Sequence, residues 1–107
     1  MPNSNYGVVL VTTANLSEAE AIATQLVEAK LAVCVNFMPI ESVYLWQGKI
    51  NRDKEYQLII KTDLNKFEGL ADKIKTLHSY EVPEIIAMPI VAGSQTYLDW
   101  LASSLKD

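Results

Sequence analysis

Cysteine, histidine and arginine are almost missing from this 107-residue sequence, which has one of each: Cys34, His78 and Arg52. A single cysteine excludes an internal disulfide. Positive charge is sparse as well, with nine Lys and Arg against 13 Asp and Glu for a net charge of -4, and the lysines are dispersed along the chain. Phosphate binding needs clustered positive charge, so nucleic acid is not an expected partner. The longest apolar runs, residues 8–11 and 85–90, fall far below the roughly 20 residues that cross a bilayer as a helix. No membrane partner is expected. The start MPNSNYG has neither the basic opening nor the apolar stretch of a secretory leader, which makes the cytoplasm the expected compartment. Four glycines and four prolines are spread without a linker, a repeat or a low-complexity tract.

What the chain does have is 50% hydrophobic residues, enough for one core and a single domain over 1–107. YGVVLVTT (6–13) has the composition of a strand buried on both faces. Ser17 and Glu20 form an S-x-x-E capping box, followed by Ala19, Ile22, Ala23, Leu26 and Val27 at helical spacing. LAVCVNFM (31–38) reads as a strand that Pro39 bends, with pairing resumed in ESVYLWQG (41–48). Turn chemistry over 47–51 leads into KEYQLIIKT (54–62), which completes a hairpin. Asn65 and Glu68 suggest a cap for a helix carrying Phe67, Leu70, Ile74 and Leu77 and ending near His78. IIAMPIV (85–91) reads as a strand whose Pro89 favours a sheet edge, and Ser94 as the cap of a last helix bearing Tyr97, Leu98, Leu101 and Leu105.

The order β-α-β-β-α-β-α predicts an α+β fold, the ferredoxin-like split βαβ sandwich with a C-terminal helix. Its first and third strands are central, and its second and fourth lie at the edges. Strands of the predicted length, at about 3.3 Å per residue, outrun a globule of roughly 13 Å radius of gyration. The hairpin is therefore expected to protrude, carrying Tyr44, Leu45, Trp46 and Ile50 at its far end. An apolar patch of that kind points to self-association, with hairpins pairing between subunits.

VTTA (11–14), KLAVCVN (30–36), SVYLWQGKI (42–50) with Glu55 and LIIKT (58–62), HSYEVPEI (78–85) and GSQTYLDWL (93–101) together resemble the CutA family, associated with divalent-cation tolerance. The stretches occur in the family's order and cover nearly the whole chain. The resemblance implies a tight homotrimer built by intersubunit strand pairing, as in PII-type signalling proteins, and a link to copper and other divalent metals.

Several side chains carry two readings each. Cys34, between Val33 and Val35, is either a small packed hydrophobe or a copper ligand, since thiolate and imidazole suit copper. Relatives with further cysteines have them where this chain has Thr12 and Lys73, which weakens a multi-thiolate site. His78 is either a cap at a helix C-terminus or a second copper ligand, with trimer symmetry supplying the partners that sequence spacing lacks. Glu81 and Glu84, around Val82-Pro83, form either a solvated acidic turn or, with Lys61 and Tyr80, the wall of an intersubunit cleft for a small polar ligand or hydrated cation. Tyr44, Trp46 and Tyr56 are assigned to the trimer interface rather than to base stacking, for which basic neighbours are missing. Tyr97 and Trp100 are read as core or interface anchors.

Two functions follow: binding of copper or another divalent metal through Cys34 and His78, or PII-like sensing of a small ligand in intersubunit clefts. No organic cofactor is implied. An enzyme is not expected, because the sequence has no G-x-S-x-G, Walker loop or clustered Cys/His/acid group, and Arg52 sits apart from any Gly-rich anion cradle.

Overall fold

A computed structural model describes residues 5–106; the N-terminal stretch read above for a leader begins outside them. The elements are β1 (Tyr6–Thr13), α1 (Leu16–Glu28), β2 (Cys34–Trp46), β3 (Lys49–Asp63), α2 (Phe67–Leu77), β4 (Ile85–Pro89) and α3 (Gln95–Ser104). The sheet has the order β2-β3-β1-β4 with every pair antiparallel. Because β3 sits between the β1 and β2 that α1 connects, this is the expected split βαβ topology, and β2 and β4 form its edges.

Pairing of Val9 with Ile60 and of Val11 with Leu58 puts four large apolar residues on one face of the sheet. They pack under Ile22 and Leu26 of α1 and Leu70 and Ile74 of α2, all fully buried. Strand β1 corrects the sequence reading. Gly7, Val9, Val11 and Thr13 are buried, whereas Tyr6, Val8, Leu10 and Thr12 are only half-buried, so one face alone is packed within the subunit. On that second face, Ile86 and Met88 of β4 lie beside Leu10 and Val8 and are 51% and 44% exposed. α3 packs against β3, with Leu101 and Leu105 buried beneath it.

Local signals were displaced where backbone geometry decided. Asn15, in extended conformation, caps α1: its Oδ1 accepts from the Glu18 N–H at 2.9 Å, and Glu18 Oε1 accepts from the Ala14 N–H at 3.2 Å. The box is thus two residues upstream of Ser17 and Glu20. A 3-10 turn, Leu64–Lys66, precedes α2 and is capped by Asp63, whose Oδ1 accepts from the Asn65 N–H at 2.8 Å. Asn65 and Glu68 do not form the cap. Ser94 precedes α3, but its side chain makes no capping bond.

Pro39 does not break β2, which pairs with β3 without interruption from Cys34↔Lys61 to Trp46↔Lys49. An edge strand can seat a proline with its missing N–H at the unpaired side. Gln47 (φ 52°) and Gly48 (φ 76°) make the two-residue turn with both residues left-handed, the type I′ geometry that matches strand twist. Ile50 and Asn51 therefore belong to β3, not to the turn. The long hairpin stretches the molecule to 47 × 25 × 22 Å, the protrusion expected from strand length.

Gly7 faces the Leu64 side chain, which would lie 2.5 Å from an added Cβ. Gly7→Ala is expected to destabilise the fold by about 1–3 kcal/mol through overpacking, read as a lower urea midpoint.

Candidate ligand cleft

The chain leaving α2 is held by His78, whose side chain is fully buried. Its Nε2 lies 2.7 Å from the Thr12 carbonyl oxygen and its Nδ1 3.1 Å from the Tyr80 backbone nitrogen. A carbonyl only accepts and an amide only donates, so the ring carries its proton on Nε2 and both nitrogens are engaged. Glu18 Oε2 meanwhile accepts from the Ser79 N–H at 2.9 Å, so one carboxylate ties the start of α1 to this junction.

The junction fixes Tyr80, which donates its hydroxyl hydrogen to Glu55 Oε2 at 2.6 Å. Burial, and then this bond, push the Tyr80 phenol far above its ordinary value. Tyr44 donates in the same way to Asp53 on the paired strand, and that bond is the main cause of its raised pKa. Between the distal hairpin and the loop after His78 opens a cleft of about 930 Å³. Glu41, Glu55, Glu81 and Glu84 line it, together with the rings of Tyr44, Trp46 and Tyr80. No Lys, Arg or His is among its lining residues.

The structure therefore brings Tyr80, Glu81 and Glu84 together with Tyr44 and Trp46, and separates them from three other candidates. Lys61 pairs with Val8 and Cys34, six residues along β3 from Glu55 and so about 20 Å away; it does not line the cleft. Tyr56 is partly buried against the core cluster and does not line the cleft. Cys34 is half-exposed at the start of edge strand β2, near enough to Tyr97 to help raise that phenol's pKa, although burial is the larger cause.

Within one subunit these residues do not fit a copper site. Both His78 nitrogens are engaged by backbone groups within the subunit, which gives the ring a positioning role there. Among the described residues no group of three or more His, Cys, Asp or Glu is arranged to hold a metal ion. Sequence reasoning passed over Glu18, Glu41 and Glu55. Glu55 was read only within the family-like stretches and as an acid inside a strand, one residue from Tyr56, which alternation alone places on the solvent side.

The CutA1 divalent ion tolerance protein family matches residues 7–104. The divalent-cation tolerance protein CutA of Thermus thermophilus is 47% identical over 95 residues, covering 88% of this chain and 92% of its own length. The chloroplastic CutA protein of Arabidopsis thaliana is 46% identical over 101 residues, but this chain spans only 56% of its length. A solved structure from Archaeoglobus fulgidus, described as a periplasmic divalent cation tolerance protein, superposes with a TM-score of 0.92 at 42% identity, covering 94% of this chain and 99% of that one. With nearly all of its described fold accounted for in this way, the chain belongs to the CutA1 divalent ion tolerance family.

Proposed function

We propose that this chain serves divalent-cation tolerance as a homotrimeric, PII-like sensor subunit that binds a small ligand in the cleft between hairpin and loop, without catalysing a reaction on it. The cleft carries this reading. It is a preformed concavity with convergent polar groups and aromatic walls, as ligand sites are, whereas both His78 nitrogens are already engaged by backbone groups of the subunit. Trimer formation is supported by the open apolar sheet face at Ile86 and Met88 and by Ile50 at the hairpin end, 78% exposed and outside the cleft. Light scattering is expected to return three times the 11.9 kDa subunit mass. The proposed compartment is the cytoplasm, to be checked by fractionation. No helix among the described residues is long and apolar enough to cross a membrane.

Thermal-shift screening of anionic, neutral and cationic metabolites tests the sensor reading. Stabilisation is expected to disappear in Glu84→Gln and to persist in Cys34→Ser. A copper titration against a competing chelator, run beside it, is expected to give weak uptake unchanged by Cys34→Ser. Stoichiometric copper binding lost in that variant would overturn the cleft as the primary site and restore the thiolate.

A further inference from the structure

Glu55 is 6% exposed, and the one hydrogen bond to its carboxylate among the described residues is the one from Tyr80. Among the described residues no Lys or Arg lies within ion-pair distance of a carboxylate, and the one His–carboxylate approach, His78 to Glu18 at 3.9 Å, is made by a neutral ring and lies at Glu18, so no cation of those residues faces the Glu55 carboxylate. A buried charge is costly unless another charge or several donors compensate it. Glu55 lines the cleft, so its missing counter-charge has room to arrive from outside the subunit.

The remaining walls favour the same sign of ligand. Glu41, Glu81 and Glu84 are exposed carboxylates around that opening. Tyr80 and Tyr44 have already given their hydroxyl hydrogens to Glu55 and Asp53, which leaves their oxygens as acceptors. Aromatic faces such as that of Trp46 attract ammonium groups through the ring quadrupole. An anion would meet mostly acceptors here.

The kind of cation is decided by spacing and size. A metal ion needs several donors within about 2.0–2.6 Å of one point, and these carboxylates form no such group. They are distributed around about 930 Å³ that also includes Val43, Leu45 and Val82. Dispersed carboxylates with apolar surface between them match a chain whose ammonium groups are separated by methylenes. Building on the ligand cleft proposed above, we infer that it takes a linear aliphatic di- or triamine, with Glu55 as the buried counter-charge and the exposed glutamates holding the outer ammonium groups.

The test is isothermal titration of the full chain with spermidine, magnesium chloride and citrate at low ionic strength. Spermidine is expected to bind saturably and to weaken as sodium chloride is added. About tenfold loss is expected in Glu55→Gln, from one charge-assisted bond, with a loss also in the exposed-loop variant Glu84→Gln, which leaves the packing intact. Glu68→Gln, which removes the same charge from the exposed side of α2, should leave binding unchanged. Loss of equal size in Glu68→Gln would overturn the inference, because attraction would then be to net charge alone. Displacement by magnesium beyond that by sodium at equal ionic strength would also overturn it. Citrate or a neutral metabolite binding in a Glu84-dependent way, with no spermidine binding, would refute the cation class and keep the ligand cleft. No Glu84-dependent binding of any probe would refute both, and would leave the cleft to a lysine or arginine of a second copy.

Discussion

His78→Ala is expected to lower the unfolding free energy by about 3 kcal/mol and to loosen one wall of the cleft together with the fold. The imidazole is fully buried, so its removal leaves a cavity, and the surrounding structure relaxes only in part. It also strips the partner from the Thr12 carbonyl and from the Tyr80 N–H, and each buried group left without a partner costs about 1–3 kcal/mol. Thr12 and Tyr80 both line the cleft, so the lost bonds lie between the central strand and the ligand loop. Urea denaturation measures the first effect, and hydrogen exchange at the Tyr80 amide the second. A wild-type midpoint with unchanged Tyr80 protection would refute the positioning role. His78→Gln, which retains a donor and an acceptor, should recover part of the loss.

Tyr80→Phe is expected to cost about 2 kcal/mol at neutral pH, because it removes the only donor found among the described residues to the carboxylate of Glu55, a residue that is 6% exposed. Its alkaline behaviour gives a second, independent signature. Burial first and the Glu55 bond second raise the Tyr80 phenol above its ordinary value of 10.0. Below about pH 10 both folded and unfolded chains hold that proton, and the stabilisation is complete. As pH rises further, the unfolded chain releases the proton that the folded chain keeps, so stability falls with pH. The phenylalanine variant lacks this component, and the gap between the two proteins should narrow from about pH 8 to about pH 11. Tyr44 and Tyr97 are raised in the same direction, so some alkaline loss remains in the variant. A gap of constant size at both pH values would show that the phenol proton is not held by the fold.

How much of this was legible beforehand differs by element. The α1 core positions, Ala19, Ile22, Ala23 and Leu26, were readable because a helix buries one stripe and its period is fixed by local geometry. The cap was misplaced by two residues, since Ser17 and Asn15 are both good cap residues and only the extended backbone at Asn15 separates them. Likewise Pro39 looked like a break, and its tolerance depends on which strand lies beside it. The candidate site divided along the same line. Tyr80, Glu81 and Glu84 are close in sequence and reached the cleft together, whereas Lys61 and Tyr56 were sorted by register, each moving to another end or face of the sheet.

By itself the sequence determined the kinds and order of the elements, the split topology and the length of the hairpin, because composition, hydrophobic period and rise per residue act over a few neighbours. It also determined family membership, which rests on stretches spread along the chain. Only the tertiary structure decided that His78 is a buried joint with both nitrogens engaged, that Glu55 is a carboxylate with no cation beside it among the described residues, and that four glutamates share one cleft with three aromatic rings. Burial and charge compensation depend on which residues distant in sequence become neighbours, and a single chain carries no local mark of that until its strands have paired.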